Sequence, residues 1–184
     1  MIMYRTHMHR VLSFPLEAET DVHFGLLHRR GRLLLLCFAL IMLTHCSGDR
    51  PVKLGVVDKQ LSPCPSSPNC VSSLSDDKRH AIEPFHYQVA LGEARDMLMA
   101  VLKAMPRAKV IMAKEDYVHA QFRSRLFGFV DDVEFSFQED QKTIHLRSAS
   151  RTGYYDFGVN RKRVERIRSQ FTHVEKESSL KRSR

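Results

Sequence analysis

Nowhere does the 184-residue sequence hold an apolar run long enough to cross a bilayer as a helix. The longest, Leu33 to Leu43, has eleven residues, and a hydrocarbon core about 30 Å thick needs roughly 20. There is no G-x-S-x-G elbow, no H-E-x-x-H, no P-loop and no dinucleotide fingerprint, so no ready-made catalytic or cofactor signature is present. Of the ten histidines only His80, His86, His119, His145 and His173 lie beyond residue 63, and none is spaced like a metal motif. No metal and no cofactor are expected. The body of the chain also lacks net charge. The formal total of +8 divides into +2 for residues 1–46, zero for 47–160 and +6 for 161–184. Nucleic-acid binding needs a basic face across a fold, and the neutral middle supplies none.

What is present begins with a leader. The apolar run Leu33 to Leu43 follows Arg29, Arg30 and Arg32 and ends at Thr44-His45-Cys46-Ser47-Gly48. That is the layout of a signal peptide, with a positive n-region and an h-region at 33–43. The cysteine directly after it resembles a lipoprotein signal, which would place cleavage before Cys46 and lipid on its thiol. His45 stands where such signals usually have a small residue. The segment ahead of the arginines is long for an n-region, so the expectation is a mis-assigned start. Translation would then begin near Val22 or Leu27 and residues 1–21 would not be made. The implied location is the bacterial cell envelope, as a membrane-anchored lipoprotein facing the periplasm, on the outer membrane rather than the inner.

Export sets the cysteine chemistry. With Cys37 in the h-region and Cys46 acylated, Cys64 and Cys70 are the two thiols left. In an oxidising compartment such an isolated pair is most simply a disulfide, closing a loop that Pro65 and Pro68 already stiffen. A redox or metal-binding pair and free thiols are the alternatives; the spacing is not C-x-x-C.

Residues 47–62 read as a linker, 63–174 as one domain and 175–184 as a basic disordered tail. From Leu91, the residues Ala94, Leu98, Val101, Leu102 and Met105 recur at helical spacing and stop before Pro106. Runs at Lys109–Ala113, Tyr117–Arg125, Asp132–Phe137 and Thr143–Ala149 alternate with period two. A last helix is capped by Asn160 and carries Val164, Ile167, Phe171 and Val174 inward, with Arg161, Lys162, Arg163, Arg166 and Arg168 outward. The fold class is α+β, a four-stranded antiparallel meander with two amphipathic helices packed on one face.

A one-residue slip would turn arginines into the core, so strands must pair like face to like face. On that argument Arg123 lies across from Glu134 and Arg125 from Asp132, about a turn at Gly128. Ile144 then opposes Phe137, and Leu146 opposes Phe135, with Arg147 beside Glu134. This polar row is either a cross-strand ion ladder or an anion site with a guanidinium to spare. Arg151, Tyr154, Asp156, Asn160 and Arg161, running from a strand end to a helix start, add donors suited to an anion. A catalytic alternative, a periplasmic hydrolase, would use Ser148 or Ser150 with Asp156, and His145 as base. Strand parity puts His145 and Ser148 on opposite faces.

Three motifs in order, C-P-S-S-P-N-C-V-S-S from Cys64, F-G-F-V-D-D-V-E-F from Phe127 and R-S-A-S-R-T-G-Y-Y-D-F-G-V-N-R-K-R-V-E from Arg147, resemble the domain of unknown function 1499 family. The resemblance covers the domain and not the first 46 residues. It implies an envelope lipoprotein or plastid setting and no established activity. It further implies that Arg147, Ser148, Arg151, Gly153, Asp156, Gly158, Asn160 and Arg161 are structural or ligand positions. The expected function is a non-catalytic binding or accessory module, held to a membrane at Cys46, for an anionic small molecule or lipid head group.

Overall fold

The computed structural model describes residues 54–58 and 60–184. The leader, the start site, the h-region and Cys46 lie outside the described residues. No described helix is long and apolar enough to cross a membrane.

Among the described residues, eight strands and two helices follow in order: β1 (Val56–Val57), β2 (Gln60–Leu61), β3 (Cys70–Ser72), β4 (Phe85–His86), α1 (Leu91–Ala104), β5 (Ala108–Ala113), β6 (Tyr117–Arg123), β7 (Val130–Gln138), β8 (Thr143–Ser150) and α2 (Val159–Arg182). The class is α+β, with β5 to β8 forming the expected antiparallel meander. The sheet nevertheless has six strands. β3 and β4 extend it by pairing with two stretches of the outer edge of β8, Cys70 opposite Ala149 and Phe85 opposite Ile144. At three and two residues they are too short to show alternation. The presumed linker also carries structure, since β1 and β2 pair as a hairpin.

Alternation settles which face is apolar. Val118, Ala120 and Phe122 of β6, Val133, Phe135 and Phe137 of β7, and Ile144 and Leu146 of β8 form one core. α1 adds Ala94, Leu98, Val101 and Leu102, and α2 adds Val164, Ile167 and Phe171. Phe85 stacks on Phe171 at 6.0 Å between ring centroids, so the short β4 joins the helices to the core.

Three expectations need correcting. The β7–β8 register is as expected, Phe137 on Ile144 and Glu134 on Arg147. In the β6–β7 hairpin, however, Arg123 opposes Val130, His119 opposes Glu134 and Gln121 opposes Asp132. Parity is kept, but the turn is centred on Leu126 and Phe127. Gly128, with φ +66°, takes the left-handed position after the turn, as in hairpin loops that lead back through a left-handed residue. Second, the tail is helical. α2 continues to Arg182 because Glu175 accepts from the Gln88 amide at 2.7 Å, while Ser178 and Arg182 both donate to Glu93. Third, Arg163 and Arg168 are not on a solvated side. Arg163 lies over the Phe122 ring at 5.0 Å, and Arg168 lies over Phe85 at 4.6 Å while donating to the carbonyls of Glu83 and Pro84.

Candidate binding surface at the arginine end of the sheet

The polar face of the sheet is buried at its centre. Asp132 and Glu134 are wholly shielded, as are nearly all of Tyr117, His119 and Arg147. The β1–β2 hairpin lies against this face. Gly55 donates its amide to Glu134 Oε1 at 2.7 Å, Leu61 is buried, and β2 packs on β7 and β8. Carboxylates placed there must find donors. Glu134 accepts from Tyr117 Oη at 2.7 Å and from Arg147 Nη1 at 3.0 Å. Asp132 receives both Nε and Nη2 of Arg151 at 2.8 Å, with His119 Nε2 at 2.8 Å from the same carboxylate. Burial alone would push the Asp132 carboxyl up, but the hydrogen bonds from Arg151 and His119 outweigh it and hold the group at about 2. Burial, together with the Glu134 charge, pushes the Tyr117 phenol far upward and keeps it a donor. Arg147 and Arg151 are thus matched one to one with acids. With those acids they form a buried ion ladder, to which β6 adds Tyr117 on Glu134 and His119 on Asp132.

Arg123 and Arg125 stand elsewhere. Arg123 ends β6 and Arg125 sits in the turn, both exposed, and neither guanidinium has a partner among the described residues. The amide of Arg151 donates to the carbonyl of Val130, the residue paired with Arg123. The loop after β8 therefore leaves from the same end of the sheet as the β6–β7 turn. Tyr154, in that loop, is 73% exposed. Arg161 lies in the first turn of α2 and donates to the Arg79 carbonyl at 3.1 Å.

Asp156 and Asn160 build this end. Asp156 accepts the amides of Gly158 and Asn160 at 3.0 and 2.9 Å, so it starts the helix in place of the expected Asn160. Asn160 is fully buried. It accepts from Ser148 Oγ at 2.6 Å and donates to the Asn69 carbonyl and Ser150 Oγ, tying α2, β8 and the cysteine loop together. The Cys64–Cys70 disulfide is present and closes that loop. Ser148 is thereby enclosed with no histidine beside it. His145, on the opposite face, pairs with Ser73 Oγ at 3.2 Å.

Sequence reasoning missed two features. One is the Asp131–Arg163 ion pair on the helix face of the sheet. Its signal was Arg163 standing next to Val164 and four residues before Ile167, at the margin of the buried stripe. The other is aromatic. Among the described residues all five exposed aromatic side chains, Phe127, Phe129, Tyr154, Tyr155 and Phe157, lie in the two loops at this one end. Phe127 sits 5.5 Å from Phe129 and Tyr155 5.1 Å from Phe157. Phe157 adopts φ +55°, a region that costs a bulky residue about 1 kcal/mol or more and persists only where neighbours enforce it. Here the Asp156 bonds to the Gly158 and Asn160 amides do so.

No curated protein and no solved structure matches the chain. The model of the protein family of unknown function DUF1499 matches residues 60–171, a span from β2 to Phe171 of α2 that takes in both aromatic loops and the whole ion ladder. The chain belongs to that family.

Proposed function

We propose that the domain is a non-catalytic binding module of the bacterial envelope, tethered at Cys46, that takes an anionic group at the end of the sheet marked by Arg123, Arg125 and Arg161. The observation that carries this reading is the unequal pairing of its arginines. Arg147, Arg151 and Arg163 are each spent on a buried carboxylate, whereas Arg123 and Arg125 have none. The acid nearest in sequence to the second loop's exposed residues, Asp156, is committed to the helix start. A guanidinium left without a carboxylate is the natural fork for a phosphate or carboxylate ligand.

Retention on phosphocellulose tests it, with the full chain kept in detergent. Arg123→Glu with Arg125→Glu should elute at markedly lower salt than Lys176→Glu with Lys181→Glu, which has the same net charge. Equal elution of the two would overturn the reading.

A further inference from the structure

We infer that the anionic group is the head group of a bilayer, and that the Phe127 and Phe157 loops insert into that bilayer beside it; this rests on the anion-binding reading and names its partner. Three observations converge. First, the apolar side chains at this end protrude from loop tips and do not line a groove. Leu126 is 81% exposed, Phe127 61% and Phe157 78%. Protruding tips fit a fluid surface that closes around them, whereas a folded partner needs a broad matching face. Second, the tips mix rings with charge as an interfacial surface does. Phe and Leu offer apolar area, Tyr154 and Tyr155 offer rings with a polar tip suited to the head-group level, and Arg123, Arg125 and Lys162 stand alongside, all exposed. That combination is complementary to an anionic bilayer.

Third, the tether is short. Seven residues, 47–53, separate Cys46 from Leu54, and fully extended they reach only about 24 Å. The nine residues of β7 span roughly 30 Å. A domain held at Cys46 is therefore kept within about its own length of the membrane. Weak docking is then intramolecular and needs little affinity of its own. The second contact would fix which end of the domain faces the lipid.

The sequence contains no tryptophan, so a single introduced indole reports alone. Phe127→Trp, Phe157→Trp and, as a reference far along α2, Leu180→Trp would be made in the full chain. Each is reconstituted into vesicles of phosphatidylcholine, with or without phosphatidylglycerol, and read by quenching from brominated acyl chains. Expected is strong quenching at positions 127 and 157 in the anionic vesicles, little at 180, and loss of the 127 signal when Arg123→Glu and Arg125→Glu are added. If the loop reporters are quenched no more than Leu180→Trp, or quenched equally without phosphatidylglycerol, the bilayer inference is overturned. Retention on phosphocellulose that still depends on Arg123 and Arg125 would then leave anion binding standing; its absence would remove both.

Discussion

Two sets of arginines, less than 30 residues apart in sequence, behave oppositely. Arg147 and Arg151 are drawn under the β1–β2 hairpin and matched to Glu134 and Asp132, which are wholly buried. Arg123 and Arg125 stand in solvent among exposed rings and are matched to nothing. The difference teaches that charge in this protein divides by environment. Desolvated charge must be neutralised by a partner and serves architecture, while hydrated charge is free to recruit one from outside.

The interior set should respond most to change. Glu134→Ala removes the acceptor shared by Tyr117, Arg147 and the Gly55 amide. It leaves a buried guanidinium unpaired, so urea titration should report a loss of about 3–5 kcal/mol. A loss below 1 kcal/mol would break the distinction between the two sets.

Arg151→Gln should cost about 3 kcal/mol at neutral pH by stripping Asp132 of its bidentate partner. The folded carboxyl is held at about 2, below the unfolded value near 4. Its stabilising contribution is therefore complete above pH 4 and lost as pH falls toward 2. The gap between wild type and variant should narrow over that window when chemical denaturation is repeated at successive pH values. A constant gap would locate the effect of Arg151 outside this pair.

A smaller effect is expected at the open end. Cys64→Ser with Cys70→Ser opens a loop tied to Asn160 through the Asn69 carbonyl. The cost should be on the order of 2 kcal/mol by chain entropy, visible as a lower thermal midpoint. Phosphocellulose retention of the folded variant should persist, because no cysteine belongs to the proposed anion surface.

How much of this was legible follows the range of each interaction. Parity along β6, β7 and β8 assigned every core residue to its face, since period two is local. The offset of the β6–β7 pairing was not legible. Two registers of equal parity bury the same side chains, and only the turn around Gly128 separates them. The first turn of α2 was misassigned because Asn160 and Asp156 are both competent caps, and tertiary contacts to Asn69, Ser148 and Ser150 claimed the former. The helical tail was hidden for a related reason: Glu175, Ser178 and Arg182 are polar in isolation and ordered by Gln88 and Glu93, almost 90 residues away. The row of charge was visible as residues, but its burial depends on a hairpin from the presumed linker. The aromatic end was visible too, as G-Y-Y-D-F-G and F-G-F. Whether loop aromatics turn in or out is a tertiary fact.

The contrast itself is best tested by a crossed pair of variants, each measured for thermal midpoint and for salt elution from phosphocellulose. Arg123→Gln with Arg125→Gln should leave stability within about 0.5 kcal/mol and lose retention. Arg151→Gln should lose stability and, while folded, keep retention. If the exposed pair proves to hold the fold, or the buried arginine to set retention, the division of charge between the two sets is wrong.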